Sequence, residues 1–222
     1  MANLIIEIFL SGFFFLFIIA TNIASGKFGY QTFSKLDSDS ELERILSNPR
    51  NFKIGFGLIL TEHIAIILLA VMLFLAFNAY NLILAVIWSV SRVTEAIIQI
   101  YYKKNYWRLL RISEQYSKKS GSSRESLRDL AHTILKTKNS VFTFAQILFS
   151  IGTISYSILF LLYGVVPELI GWFGVIASII YGFGGGIALA KPNLKTLWSI
   201  SGLLILIFEI ILGGFLLISP WI

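Results

Sequence analysis

Ionisable side chains stand in the middle of long apolar runs of the sequence: Glu62 and His63, then Arg92 and Glu95, and finally Glu209. An ionised group at mid-bilayer costs about 2.5–3.5 kcal/mol even on a lenient insertion scale, so such residues need partners and are candidates for function. Carboxyls beside a guanidinium and an imidazole can do two kinds of chemistry. Arg92 can hold an anionic group or counter-ion, and Glu62, Glu95, Glu209 or His63 can exchange a proton with it. The same residues can instead act as a structural clamp between helices whose apolar faces gain little by leaving lipid. A metal or haem site lacks its pattern: His63 is the only histidine within an apolar run, and neither Glu-x-x-His nor His-Glu-x-x-His occurs. No cofactor is expected. Nor is there a paired aspartate for intramembrane proteolysis, or a nucleophile with a recognisable neighbour set.

The elements that must position these residues are set by composition. With 56% hydrophobic and 14% charged residues in 222, the chain lies outside the range of soluble domains. A spanning helix needs about 20 mostly apolar residues. The expectation is an all-α polytopic membrane protein, a six-transmembrane-helix bundle forming a single membrane domain over 1–222. Its spans are predicted at 4–24, 52–77, 81–101, 140–162, 168–190 and 197–219. The first run has no Lys or Arg before it, which favours a span over a secretory signal. All four prolines fall at or beyond span ends, as expected from their cost of about 3 kcal/mol inside a helix. The absence of cysteine excludes disulfides, iron–sulfur clusters and thiol chemistry. The short link Asn78-Ala79-Tyr80-Asn81 makes the second and third spans antiparallel neighbours. Folded about Ala79, Glu62 and His63 come level with Glu95, Arg92 lies one turn away, and a Glu62–Arg92–Glu95 arrangement becomes easy. Glu209, midway along the sixth span, can join them.

Orientation follows from Lys and Arg, all of which except Arg92 fall in the first, third and fifth connections. The positive-inside rule then predicts a cell-membrane protein with both termini extracytoplasmic. Tyr80, Tyr163, Trp172 and Trp221 mark the outer interface, and Tyr102, Trp107 and Trp198 the inner one. In the first connection, Ser40 to Glu43 has capping-box spacing for a short interfacial helix ended by Asn48-Pro49. The long third connection, 102–139, reads as amphipathic helices lying on the membrane surface or folded back on it. One presents Tyr106, Leu109 and Leu110. After a break at Gly121, a second is capped by Ser122 to Glu125 and presents Leu127, Leu130, Ala131 and Ile134. Beyond contact with the lipid bilayer, Lys103, Lys104, Arg108 and Arg111 can attract anionic lipid at roughly 1 kcal/mol per residue. The loop can also bind a membrane protein partner. Nucleic acid is not expected, since no stacking motif or recognised fold accompanies the charge.

A packing signal lies in the fifth span, where Gly174, Ser178, Gly182 and Gly186 recur every fourth residue. Such a stripe lets another helix approach closely, within the bundle or between two copies. The glycine run at 182–186 is not a phosphate loop, because the strand and Lys-Ser/Thr are missing.

Asn51-Phe52-Lys53-Ile54-Gly55 and Arg92-Val93-Thr94-Glu95-Ala96 resemble the prokaryotic membrane family catalogued as domain of unknown function 4386. That family shows a Phe-Arg-Leu-Gly-like entry and an Arg-Leu-Val-Glu-Ala-like core. Glu62 matches an acidic residue often found in its second span, whereas Phe77 to Tyr80 lacks the family's proline-containing turn. The resemblance implies the architecture and the Arg92/Glu95 site, and no activity. The sequence therefore points to binding or translocation of a small molecule or proton at a Glu/His/Arg/Glu site. The alternative is a structural or accessory membrane subunit.

Overall fold

The computed structural model describes residues 2–190 and 195–221, with side chains over 4–187 and 200–220. The predicted boundary at Lys191-Pro192 and the side chains of Trp198 and Trp221 lie outside these described residues. Seven α-helices occur among them: α1 (Ala2–Lys27), α2 (Ser38–Ser47), α3 (Pro49–Phe77), α4 (Leu82–Tyr116), α5 (Ser122–Leu162), α6 (Glu168–Ala190) and α7 (Lys195–Ile218). All but α2 are long and apolar enough to cross a membrane, and the protein is an all-α polytopic membrane protein.

Local chemistry explains the helix ends. Asn48 caps α3 by accepting from the Asn51 N–H at 3.2 Å, and Pro49 takes the first helical position, where its missing N–H costs nothing. At the α3–α4 turn the Asn78 amide donates to the Phe74 carbonyl at 2.7 Å, while Asn81 accepts from the Leu84 N–H at 3.1 Å. Two asparagines thus satisfy backbone groups on both sides of a tight turn. The expected cap at Ser40 is displaced. Asp37, extended at φ −96°, accepts from the Ser40 N–H at 3.2 Å, so α2 begins at Ser38. An ionised carboxylate is the stronger acceptor. The Ser122 to Glu125 box does not form either, because Gly121 is the N-cap and Ser122 is already helical.

Each long helix packs on its sequence neighbour among the six, and α7 closes on α1, so α1, α3, α4, α5, α6 and α7 form a ring. The α1–α7 closure is tight where Gly12 faces the Leu217 nitrogen and the Gly213 carbonyl. A Cβ on Gly12 would lie 2.5 and 2.7 Å from them. Aromatic side chains fill the ring toward the Asn78–Asn81 turn. Tyr156 stands against Trp88, Phe160 and Phe15, with ring centroids 4.6, 5.3 and 6.2 Å away. Tyr80 and Tyr163 meet at that end, 5.3 Å apart.

The basic connection departs from the expected surface helices. α4 and α5 run on unbroken for 35 and 41 residues, about 52 and 62 Å at 1.5 Å per residue against about 30 Å of hydrocarbon. Unbroken helices keep their backbone hydrogen bonds satisfied from lipid into water. Their apolar faces pack on each other and on α2 rather than on lipid. Leu42, Ile45, Tyr106, Leu109, Ile112, Ala131, Ile134 and Leu135 form this second core, whereas Leu130 is exposed.

Candidate functional site

Between the aromatic plug and the second core lies a cavity of about 300 Å³, lined by residues from all six long helices and by Tyr30 and Thr32. Glu62, His63, Arg92, Glu95 and Glu209 all line it.

Arg92 projects from α4 and is buried. Its guanidinium pairs with Glu95 one turn further along the same helix and lies 4.3 Å from the centroid of Phe149. Trp88 flanks it at 5.5 Å, and an arginine held over ring faces gains cation–π attraction that water would weaken. Gly152 of α5 makes the room: a Cβ there would lie 3.3 Å from both Arg92 Cγ and Trp88 Cε3. Gln99, a further turn along α4, donates to the other Glu95 oxygen at 3.5 Å.

Glu62 is not part of an Arg92 pair. Its two oxygens accept from the Asn22 amide of α1 at 3.2 and 3.0 Å. The expected Glu62–Arg92–Glu95 arrangement is thus replaced by two units facing one cavity. Arg92 sits an i, i+3 step from Glu95, and that neighbour on its own helix outcompetes a carboxylate on α3. The buried imidazole of His63 bonds through Nδ1 to the Ile59 carbonyl, and its Nε2 is turned toward the side of the cavity that Gln99 also lines. A carbonyl can only accept, so Nδ1 carries a proton. No three His, Asp or Glu side chains among the described residues are grouped to hold a metal ion.

Sequence reasoning missed several contributors. Lys103 was expected to face anionic lipid, but only 5% of it is exposed, and it donates to the Tyr30 hydroxyl beside the cavity. It leaves the lipid-facing set because it continues the α4 stripe of Trp88, Arg92, Glu95 and Gln99, spaced at three and four residues, which turns inward. That spacing was the available signal. Lys138 is also buried, donating to the Gln31 carbonyl and to Ser34 Oγ. Asn139 adds a reciprocal pair with the Ser34 backbone at 2.8 and 2.9 Å, tying the α1–α2 segment onto α5.

The small-residue stripe of α6 packs inside the ring. A Cβ on Gly174 would come within 2.4 Å of Ser157 Oγ and 2.5 Å of Phe208 Cζ, one on Gly182 within 2.9 Å of Ser150 Cβ, and Ser178 is fully buried. Gly186 has open space instead.

No curated protein and no solved structure matches the chain. The sequence model of the family described as domain of unknown function (DUF4386) matches residues 10–219, nearly the whole chain. This multi-pass membrane protein, with its buried Arg92–Glu95 pair, belongs to that family.

Proposed function

We propose that the protein binds a small molecule in the ring cavity and exchanges a proton with it, using Glu62, His63, Arg92, Glu95 and Glu209. The observation that carries this reading is the cavity itself. About 300 Å³ is at the lower end of ligand-pocket sizes, roughly 300–1,000 Å³, and acid, base and cation line it together. The clamp reading is weakened because the Arg92–Glu95 pair lies within α4 and joins no two helices. The Asn22–Glu62 contact does bridge two helices, α1 and α3. His63 is anchored through Nδ1 and gains or loses the exchanged proton at Nε2, while Arg92 supplies fixed positive charge. Translocation requires the plug of Trp88, Tyr156 and Phe160 to part.

The reading extends to setting. Basic residues cluster where α1 ends and α3 begins and along the α4–α5 extension, so we place that end in the cytoplasm of a cell-membrane protein, with both termini outside. We take 1–222 as a single membrane domain, since the six long helices close into one ring. Lys104, Arg108 and Arg111 are exposed beyond the membrane portion of α4, which favours a role of that extension in meeting anionic lipid or a membrane protein partner, whether accessory to binding or as the main function.

A high-resolution map of the protein purified in native lipid tests the main reading. Non-protein density beside Arg92 and Glu95 supports it, and Arg92→Gln should abolish that density in a folded protein. A dry cavity, with no ligand or proton response altered by Arg92→Gln, would leave the cluster as structure only.

A further inference from the structure

Two lysine amines line the same cavity without a carboxylate of their own. Lys103 is 5% exposed and Lys138 3%, and among the described residues neither has a carboxylate oxygen within 4.0 Å. Their nitrogens lie 4.8 and 4.6 Å from the centroid of one ring, that of Tyr30. A ring face attracts cations but carries no net charge. Burial pushes the Tyr30 hydroxyl well above its ordinary range, so it stays neutral. The nearby carboxylates are engaged: Glu41 accepts from Arg44 and the Tyr106 hydroxyl, and Glu62 from Asn22. Lys138 spends two donors tying the α1–α2 segment to α5. Lys103 spends one, on Tyr30, and an ammonium has three. Two like charges held together out of water are costly, and burial pulls both amines down, Lys103 to about 8 and Lys138 well below its ordinary range; an anion beside them restores the charged form and completes the site.

Another part of the described cavity wall has a different character. Ile19 and Ile23 of α1, Val141 and Phe142 of α5, and Gly202 and Leu206 of α7 line it. Ile23 is 55% exposed, and a side chain on Gly202 would meet nothing within 4 Å. These positions lie toward the basic end, away from the tight α1–α7 closure at Gly12. An apolar wall beside two buried lysines suits a molecule with an anionic head and an apolar chain, and suits a hydrated free anion poorly.

We infer that Lys103, backed by Lys138, recognises the anionic head group, carboxylate or phosphate, of a single-chain amphiphile whose chain lies along the apolar residues that α1, α5 and α7 present to the cavity. This rests on the cavity being a binding site.

The test uses the full chain in phosphatidylcholine nanodiscs, with empty nanodiscs subtracted, and displacement of a fluorescent polyene fatty acid. Dodecanoate and dodecyl phosphate should displace it at least about tenfold better than neutral dodecanamide, the size expected for a charged hydrogen bond. Lys103→Gln should erase that preference and Lys103→Arg restore it. Acetate and inorganic phosphate at equal concentrations should not displace the probe. Equal displacement by dodecanamide, or a preference that survives Lys103→Gln, overturns the head-group assignment. Displacement by acetate or phosphate as strong as by dodecanoate overturns the amphiphile. Binding without head-group preference that is blocked by Ile23→Trp would overturn Lys103 while leaving the cavity as a binding site. No saturable probe binding, together with a dry cavity, would remove both.

Discussion

Arg92 forms its ion pair with Glu95, one turn along the same helix, inside a ring of six helices where both side chains are almost wholly buried. Neither can be removed alone without leaving the other charge unpaired. Glu95→Met or Arg92→Met should therefore each destabilise by about 3 kcal/mol or more, and Arg92→Met with Glu95→Met by clearly less than their sum. Denaturation of all three variants in detergent, read as a double-mutant cycle, measures this. Additive losses would mean that the pair is not coupled.

Gly152 is the space that Arg92 occupies. With its would-be Cβ 3.3 Å from Arg92 Cγ and Trp88 Cε3, Gly152→Ala requires only a small shift and gains helix propensity, so near-neutral stability is expected. Gly152→Val should cost about 1–3 kcal/mol by overpacking. Thermal unfolding of the two variants separates them.

The α6 stripe should divide by position. Gly174→Ala drives a methyl into Ser157 and Phe208 and is expected to destabilise by about 1–3 kcal/mol. Gly186→Ala meets open space and should stabilise by up to about 1 kcal/mol. Unfolding midpoints check the contrast, and a change of oligomeric state on Gly174→Ala would point to an interface between copies instead.

Topology can be read without background labelling because the chain has no cysteine. In intact cells a membrane-impermeant maleimide should label Ala79→Cys in the α3–α4 turn. Ser120→Cys in the α4–α5 turn should react only after permeabilisation. The reverse pattern would invert the orientation.

Asn22 is the tie between α1 and α3. Asn22→Leu removes the donor held by both Glu62 oxygens and is expected to cost about 1–3 kcal/mol, the penalty of an unsatisfied buried acceptor. Glu62→Gln added to it should recover part of that loss, as measured by chemical denaturation.

Hydropathy and residue type by themselves determined that this is a polytopic α-helical membrane protein, because about 20 apolar residues per span and the placement of proline leave few other solutions. They also brought out Glu62, His63, Arg92, Glu95 and Glu209, since a charge in an apolar run is conspicuous wherever its helix points. What the sequence could not decide is partnership. Whether Glu62 meets Arg92 or Asn22 depends on how α1 and α3 are rotated about their axes, and no local pattern records that rotation. Lys103 and Lys138 look like ordinary members of a basic loop in sequence. Only the continuation of α4 and α5 beyond the bilayer, with Tyr30 folded against them, makes them buried lysines facing the same cavity.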